Sequence, residues 1–433
     1  MIKKIIKKSM PRFIIGWYHF LTAFLGALIY GLPSRKIKVI GITGTNGKTT
    51  TANLAAATLE AAGHKVAVAS SIKFKIGPDE KENKLKMTMP GRAVLQRFLK
   101  QAVKARCDYA ILECTSEGVL QHRHKFIRFE TMVFTNLSPE HIEHHKGFEN
   151  YKRAKGEYFK ACKNIHIING DNENSGYFLG FTAKAKYVYG FKDAKTDYKT
   201  IKAQRIEESK AGLSFEIDGL GFSLPLLGRF NVYNALAAVC VGLSQGVSLE
   251  VCQQALSKAD GVPGRMEEII SEPFKVIVDY AFTPNALEQV YLALKPQKQS
   301  GKLVCLLGAC GGGRDKWKRP VLGQIAVKYC DEIIITNEDP YDENPMDIIN
   351  QVAQGAKGEE GGNLLPARRD VPSFLILDRR EAIHKALTLA KPGDTVVITG
   401  KGCEPWICEA NGKKIPWDDR RIAREELAAV IAG

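Results

Sequence analysis

The sequence predicts an α/β protein with two domains, each built on a mostly parallel β-sheet. Two observations support this fold class. Short runs rich in valine and isoleucine alternate with longer helix-like segments through the first half of the chain, and the same alternation restarts after residue 260. A chain of 433 residues is also long enough for two or three domains, each with a core of its own.

In the first domain, strand-like runs lie on both sides of a glycine-rich turn. Residues 38–43 (KVIGIT) form a β-branched run, and the Ala-rich residues 50–62 after the turn predict a helix that ends at Gly63. Further strands are predicted at 65–69, 109–113, 131–136 and 164–169, with short strands between 201 and 227. We therefore assign residues 1–36 to a basic, apolar N-terminal helix and residues 37–259 to a central domain.

The second domain is predicted to span residues 260–433. Its strand-like runs are at 275–280, 302–308, 332–337, 373–377 and 394–400. This alternation of strands and helices is typical of a Rossmann-like α/β domain. The Gly-rich residues 354–363 are predicted to form a surface loop.

Composition and charge restrict the class of protein. Apolar residues make up 45% of the chain and charged residues 25%, which is typical of a compact globular protein and excludes disordered and polytopic membrane classes. The net charge is +15, but eight of the basic residues lie in the first forty positions, where there is no Asp or Glu. The body is therefore only mildly basic, and we expect no nucleic-acid partner, because such a protein spreads its charge over the folded body.

The ten cysteines show no CxxC spacing, and no pair of them has a zinc-ribbon partner. They are predicted to be reduced thiols that pack as small hydrophobic side chains.

The N-terminal apolar stretch, residues 13–32, is about as long as the ~20 residues that cross a bilayer. Glycine, histidine and threonine residues within this stretch lower its hydrophobicity. A span would also place five positive charges outside if the body stays in the cytoplasm, against the positive-inside rule. Three arrangements stay open: a helix on the cytoplasmic membrane surface, which we favour, a helix packed on the protein's own body, and a true span. The expected location is cytoplasmic, at the inner face of the membrane.

The turn after the first strand reads GTNGKTT and opens a helix. In this setting backbone N–H groups and a helix N-terminus bind phosphates. Lys48 would hold the terminal phosphates and Thr49 a Mg²⁺ ion. Ile42 stands where the full P-loop pattern has its first glycine. The predicted ATP-binding residues of this P-loop central domain are Gly44, Thr45, Asn46, Gly47, Lys48, Thr49 and Thr50.

Motifs spread over the rest of the chain accompany this loop. They are TMP at 88–90, ECTSEG at 113–118, FTNLSPEHIEHH at 134–145, YKRAK at 151–155, LLGRFNVYNALAA at 226–238, VPGRME at 262–267, DYAFTPNALE at 279–288, CGGGRDKWKRP at 310–320, TNEDPYDENP at 336–345, GKGCE at 400–404 and WDDR at 417–420. With these motifs the chain resembles the Mur ligase family over residues 37–433, and it lies closest to the MurE type.

The resemblance implies an ATP-dependent ligase that joins an amino acid to the cell-wall precursor UDP-N-acetylmuramoyl-L-alanyl-D-glutamate through an acyl phosphate. The implied cofactors are ATP and Mg²⁺ at two sites. Thr49 matches the ligand of the first ion, and Glu113 and His141 match ligands of the second. Lys155 matches a lysine that is carbamylated by CO₂ and then faces Mg²⁺ like a carboxylate. From the residues alone, Lys155 could be a solvated lysine, and the HIEHH cluster could bind zinc.

The resemblance also assigns roles around the nucleotide and the substrates. Asn231 and Asn234 match positions near the base, and Asp279 one near the ribose or the γ-phosphate; Phe282 replaces a usual histidine. The implied catalytic residues are Lys48, Glu113, His141, Lys155, Asp315 and Lys316. Implied contacts to the muramyl dipeptide are Thr88, Ser116 and Arg123, and the remaining substrate-binding residues are Arg314, Glu338, Asp339, Tyr341, Gly400 and Glu404.

The amino acid that is added depends on the motif at 338–341. Enzymes of this family that use meso-diaminopimelate carry DNPR there, whereas this chain has EDPY and lacks the arginine that would bind the distal carboxylate. The carboxylates of Glu338, Asp339 and Glu404 could instead pair with a side-chain ammonium. We therefore predict L-lysine or another diamino acid.

Only about 36 residues precede the first predicted strand, where MurE enzymes carry a uridine-binding domain. Recognition of the uridine nucleotide is thus unexplained, and a lipid-linked substrate stays open. Two alternatives remain: another Mur-fold ligase, either MurT-like or polyglutamate-adding, and a non-catalytic, membrane-associated nucleotide-binding protein.

Overall fold

The computed structural model describes residues 12–193, 197–209, 211–295, 301–357 and 371–432. They form two compact units. The first takes the chain up to residue 138, then 148–225 and 229–260; the second takes 139–147, 226–228 and everything from 261 onward. Of the loop predicted at 354–363, residues 354–357 end a helix and the rest lie outside the described residues.

The described helices and strands run as follows in chain order. The helices are α1 (Arg12–Ile29), α2 (Lys48–Ala61), α3 (Arg92–Lys104), α4 (Ser116–Leu120), α5 (Ile142–His145), α6 (Phe148–Ala161), α7 (Ser175–Leu179), α8 (Phe230–Ser244), α9 (Leu249–Ser257), α10 (Pro284–Leu294), α11 (Lys318–Tyr329), α12 (Pro345–Lys357), α13 (Arg379–Leu389) and α14 (Asp419–Ala432). The strands are β1 (Lys38–Thr43), β2 (Val66–Ala69), β3 (Lys73–Ile76), β4 (Asp79–Glu82), β5 (Tyr109–Cys114), β6 (Phe129–Phe134), β7 (Ile165–Asn169), β8 (Ala185–Gly190), β9 (Lys199–Lys202), β10 (Gln204–Ser209), β11 (Gly212–Ile217), β12 (Leu220–Leu224), β13 (Glu267–Ile270), β14 (Lys275–Val278), β15 (Leu303–Leu307), β16 (Glu332–Thr336), β17 (Ser373–Ile376), β18 (Thr395–Ile398), β19 (Trp406–Cys408) and β20 (Lys414–Pro416).

The first unit is built on a nine-stranded sheet in the order β4-β3-β2-β5-β1-β6-β7-β8-β9. Along the sheet from β2 through β5, β1, β6, β7 and β8 to β9, each strand is parallel to the next. Only β3 breaks this pattern, because it pairs antiparallel with both β2 and β4. β5 is buried along its whole length, as expected for a central parallel strand covered on both faces. The carboxyl ends of β2, β5, β1 and β6 therefore meet at one edge of the sheet.

The second unit has a six-stranded sheet in the order β13-β14-β18-β15-β16-β17. All neighbours are parallel except β13, which pairs antiparallel with β14 at one edge. Two domains with mostly parallel sheets confirm the predicted fold class. At the starts of α13 and α14, the guanidinium of Arg379 donates to both carboxylate oxygens of Asp419, at 2.9 and 2.7 Å, with both side chains buried.

The prediction that the cysteines are reduced thiols is wrong for two of them. Cys305 in β15 and Cys330, which precedes β16, form a disulfide, while the other eight cysteines are free thiols. The two strands are neighbours in the sheet, so residues 25 positions apart in sequence have their Cα atoms 6.0 Å apart. Spacing along the chain does not reveal such a pair.

The predicted N-terminal helix is α1, and it packs on α3 of the first unit. The contact is made by small residues: Ala23, Gly26 and Ala27 are buried, and a Cβ added at Gly26 would lie 3.5 Å from the Cα of Ala93. Among the described residues, no helix is both long and apolar enough to cross a membrane.

Candidate nucleotide and substrate site

The phosphate loop joins the end of β1 to the start of α2. Gly44 and Gly47 have positive φ angles of 158° and 81°. A Cβ at Gly47 would collide with Oδ1 of Asn234, so glycine is required there for both conformation and space. The Lys48 amine lies across the loop and donates to the carbonyl oxygens of Gly44 and Thr45, at 2.9 and 2.8 Å. Thr49 and Thr50 are buried in the first turn of α2.

The segment after β6 holds this loop in place. Thr135 donates its hydroxyl to the Asn46 carbonyl at 2.7 Å, and the side chain of Asn136 both accepts from the Asn46 amide at 2.9 Å and donates to its carbonyl at 3.1 Å. The amide of Ser138 donates to Oγ1 of Thr45 at 3.0 Å. Sequence reasoning quoted the TNLS motif without giving these residues a role; their position directly after a buried strand was the available signal.

Lys155 on α6 points into the same loop. Its side chain is 2% exposed, and its amine donates to the Gly44 carbonyl at 2.8 Å and lies 4.7 Å from the centre of the Tyr151 ring. Burial and, after it, the charge of Lys48 lower the pKa of the Lys155 amine well below its usual range. Two lysine amines thus share one carbonyl oxygen, which favours a neutral or chemically modified Lys155.

Glu113 lies at the end of β5, beside β1, where Ile42 is its partner across the strands. Its side chain is buried, and its two carboxylate oxygens accept from the amide and the hydroxyl of Ser71, at 2.8 and 3.0 Å. The Ser71 hydroxyl also lies 3.0 Å from the Thr88 hydroxyl, so a predicted substrate residue is linked to Glu113 through a serine. Sequence reasoning missed Ser71, although it follows β2 at the same edge of the sheet.

The donor set of the first unit fits Mg²⁺ in part. Magnesium prefers hard oxygen ligands, and Glu113 offers a buried carboxylate with which no Lys or Arg of the described ranges forms an ion pair. Lys155 does not fit as an amine, because a cation would repel the metal; it fits only as a carbamate. Across the part of the chain that the structure describes, no group of three or more His, Cys, Asp or Glu side chains is arranged to hold an ion, and the HIEHH cluster is no exception.

His141 belongs to the second unit, within residues 139–147. It has a positive φ of 57° and directly precedes α5. Asp315 accepts from the backbone amides of Ile142 and Glu143, each at 3.0 Å, and the amide of Lys316 donates to the Glu143 carboxylate at 2.7 Å. Asp315, predicted to be catalytic, therefore positions the backbone next to His141.

A buried ion pair also anchors this segment. The amine of Lys318 and the carboxylate of Glu140 are 2.8 Å apart, with both side chains at most 3% exposed. Lys318 lies 5.0 Å and Arg314 6.0 Å from the centre of the Phe282 ring. Phe282, where the family has a histidine, thus forms a flat surface beneath two cations.

The residues matched to the nucleotide lie in both units. Asn234 donates to Asn231 at 2.8 Å and accepts from the Thr51 hydroxyl at 3.2 Å, so the pair packs against α2 beside the phosphate loop. In the second unit, Asp279 accepts from the amides of Met266 and Ala281, at 2.7 and 2.6 Å. Burial raises the pKa of Asp279, with Arg265 opposing.

The Arg123 side chain makes two contacts within the protein. Its guanidinium donates to the Met89 carbonyl and, at 2.8 Å, to the Gln121 side chain, so it holds the loop that contains Thr88. Burial lowers the pKa of Arg123. Ser116 is buried in the first turn of α4. Two of the Arg123 donors are thus used within the protein, and its predicted contact with the muramyl dipeptide stays a prediction.

Three carboxylates of the second unit were predicted to bind the substrate, and two of them already form ion pairs within the protein. The buried Lys401 amine donates to Asp339 at 2.9 Å and to Glu404 at 2.7 Å. Glu338 accepts from the Cys310 thiol at 2.7 Å, and burial raises its pKa. Sequence reasoning left out Lys401, which pairs with two of the three carboxylates. The prediction that these carboxylates also meet an incoming ammonium stays a prediction.

Tyr341 and Gly400 shape the same region. Tyr341 has a φ of 52° and its amide donates to the Cys408 carbonyl at 3.0 Å. Its ring packs against Gly312, where a Cβ would contact it. Gly400 has a φ of 102°, and a Cβ there would lie 2.6 Å from Glu338. Both glycines leave room for larger neighbours.

A phosphate loop on a parallel sheet, followed by a second α/β domain, defines a nucleotide-binding α/β protein. Residues 42–242 match the Mur ligase middle domain, and residues 264–402 match the Mur ligase, glutamate ligase domain. The chain therefore belongs to the Mur ligase family, whose members are ATP-dependent ligases that form peptide bonds.

Relatives and solved structures agree with this family. The UDP-N-acetylmuramoyl-L-alanyl-D-glutamate--2,6-diaminopimelate ligase of Syntrophomonas wolfei is 36% identical over 417 residues, covering 94% of this chain and 82% of its own. A UDP-N-acetylmuramyl-tripeptide synthetase of Roseiflexus sp. is 34% identical over 428 residues, covering 94% and 82%. A solved 2,6-diaminopimelate ligase is similar with a TM-score of 0.59 at 31% identity, covering 91% of this chain and 78% of its own. A Mycobacterium tuberculosis folylpolyglutamate synthase, at 17% identity and a TM-score of 0.68 over 87% and 91% of the two chains, shares the fold.

Ser71→Ala should reduce ligase activity roughly 10- to 100-fold and raise the Mg²⁺ concentration needed for half-maximal activity. The substitution removes the hydroxyl that orients Glu113 and Thr88, while the amide contact stays. The measurement is a Mg²⁺ titration of ATP-dependent phosphate release. Ser257→Ala is the control, because that hydroxyl donates to its own helix at 3.0 Å and should change nothing. If Ser71→Ala leaves the Mg²⁺ dependence unchanged, neither Ser71 nor the Glu113 carboxylate that it orients takes part in metal binding.

Proposed function

We propose that this protein is a MurE-type ligase that uses ATP to add a diamino acid to the D-glutamate of UDP-N-acetylmuramoyl-L-alanyl-D-glutamate. The observation that carries the proposal is the arrangement at the phosphate loop: the amines of Lys48 and Lys155 share the Gly44 carbonyl, and Glu113 ends the neighbouring strand. The similarity to named ligases of this precursor, over 94% of the chain, supports the same reaction.

The chemistry requires an activated carboxylate. The D-glutamate carboxylate attacks the γ-phosphorus of ATP, and an acyl phosphate forms as ADP leaves. The amine of the diamino acid then attacks the acyl carbon, phosphate leaves, and the nitrogen loses a proton to give the amide. Lys48 and the loop hold the phosphates, while Glu113, Thr49 and a carbamylated Lys155 are the residues of the first unit that would hold Mg²⁺, which neutralises the crowded oxygens.

We propose that Lys155 is carbamylated, and its surroundings support this. A neutral amine attacks CO₂, a proton is released, and the cation is replaced by a carboxylate-like group. Burial beside Lys48 favours the neutral amine that this reaction needs. The product would relieve the repulsion between the two lysines and supply a second oxygen donor beside the phosphate loop.

For the amino acid itself, we propose L-lysine or another diamino acid that lacks a distal carboxylate. Tyr341 stands where diaminopimelate-using enzymes have an arginine, and a tyrosine cannot bind a carboxylate through a planar pair of donors. Glu338 remains as a carboxylate outside the Lys401 ion pairs. The relatives named for 2,6-diaminopimelate make that amino acid the direct competitor.

The function is tested by measuring phosphate release with ATP, Mg²⁺ and the soluble dipeptide precursor. Lysine, ornithine and meso-diaminopimelate are supplied one at a time, and products are weighed by mass spectrometry. We expect turnover that requires both the precursor and an amino acid, with lysine preferred over diaminopimelate. Turnover with diaminopimelate but not lysine would overturn the substrate proposal while leaving the ligase intact. No turnover with any of the three, but activity with a lipid-linked precursor, with a polyglutamate acceptor or with a glutamine-derived amine, would replace the function with another Mur-fold activity.

Lys155→Ala should lose roughly 100-fold in activity and regain part of it when acetate or formate is added, because a small carboxylate can replace the carbamate. Lys160→Ala is the matched control: it removes a lysine of the same helix whose side chain is 67% exposed, and should be neutral. The readout is kcat with and without the added acid. Full activity of Lys155→Ala without any added acid would contradict the carbamate role.

The location of the enzyme is a separate proposal. We place it at the inner face of the cytoplasmic membrane through its N-terminal segment.

A further inference from the structure

The α1 helix is apolar on both of its faces, and its side chains are distributed unusually. The face packed on α3 carries small residues, and the rings of Phe20 and Phe24 contact Phe126. A further set of bulky apolar side chains points away from the unit. Trp17, Leu21, Leu25, Leu28 and Ile29 are between 48% and 77% exposed. An exposed stripe of this size on one helix is typical of a surface that binds a partner.

The sequence before, along and after this helix, and that of α3, is rich in basic residues. Residues 1–40 contain eight Lys and Arg residues and no acidic residue, and residues 83–107, which include all of α3, also contain no Asp or Glu. The guanidinium of Arg92 lies 5.9 Å from the centre of the Tyr18 ring, and a Cβ added at Gly31 would lie 3.9 Å from the Lys100 amine. Basic groups therefore lie near both ends of α1.

We propose that the outer face of α1 docks on an anionic lipid bilayer, with the helix lying in the interface and the basic residues contacting lipid headgroups. An apolar helix face combined with lysine and arginine is the arrangement that binds anionic membrane surfaces. The packing on α3 keeps the other face of α1 on the protein, so the helix lies on the membrane rather than through it. A second copy of this chain is disfavoured as the occupant, because two such faces would bring like charges together. This proposal does not depend on the ligase chemistry.

The test is flotation of the full chain with vesicles. We expect the protein to float with vesicles of phosphatidylglycerol mixed equally with phosphatidylcholine, to float poorly with pure phosphatidylcholine, and to be released in part by raised salt, which screens the basic groups. Equal flotation with both vesicle types, or none with either, would overturn the proposal.

Two double variants test whether the outer face of α1 makes the contact with lipid. Leu21→Glu combined with Leu25→Glu should reduce partitioning into anionic vesicles by about tenfold or more, because two apolar contacts are replaced by charges that the lipid repels. The matched control is Leu292→Glu with Leu377→Glu, at leucines 47% and 46% exposed in the second unit, which should bind like the unchanged protein. Phosphate release with soluble substrates is measured in parallel and reports whether each variant is folded. A variant that keeps this activity but does not float has lost membrane docking and not the ligase function.

Two results would contradict the assignment of this face. If the α1 variant floats as well as the unchanged protein, the apolar stripe does not contact lipid. If the unchanged protein is a dimer without lipid and the α1 variant is a monomer, the stripe is an interface between copies.

Discussion

The tight turn between β1 and α2 is the constraint on which the rest of the site depends. Gly47 has a left-handed conformation and lies against Asn234, so the chain can turn into α2 only without a side chain there. The segment after β6 bonds to the same turn from the other side through Thr135 and Asn136. Because the turn is fixed from both sides, it presents one carbonyl, that of Gly44, to two lysine amines.

Electrostatics then determine what this turn can bind. The amines of Lys48 and Lys155 meet at the Gly44 carbonyl in a buried position, which is unfavourable for two cations and favourable when anions are present. The phosphates of ATP would supply negative charge there, and so would the carbamate that we propose on Lys155. At the neighbouring strand end, Glu113 is held by Ser71 and offers oxygen to a metal ion. In the second unit a buried lysine likewise holds its neighbours in place, because the Lys401 amine donates to both Asp339 and Glu404.

The parts of the molecule that sequence could predict are those that local patterns encode. The β-branched runs became parallel strands, and the glycine-rich turn lies at the end of β1, because each needs only nearby residues. What sequence did not reveal are partners from distant positions. Ser71 meets Glu113, Arg123 donates to the Met89 carbonyl, and Lys401 pairs with Asp339 only because folding brings them together. The β3–β4 hairpin was also missed, because its strands are short, polar and exposed to partly exposed.

The proposed site requires the turn at Gly44–Lys48 to bind the phosphates of ATP, and calorimetry measures this binding as the affinity for ATP. Gly47→Ala should weaken ATP binding by about tenfold or more, because the new methyl group displaces Asn234 and distorts the turn. Gly63→Ala is the matched control: Gly63 has a similar φ of 86° but nothing within 4 Å of an added Cβ, so it incurs the same backbone strain away from the turn. We predict unchanged ATP affinity for Gly63→Ala and weakened ATP affinity for Gly47→Ala. Equal ATP affinity in the two variants would contradict phosphate binding by this turn.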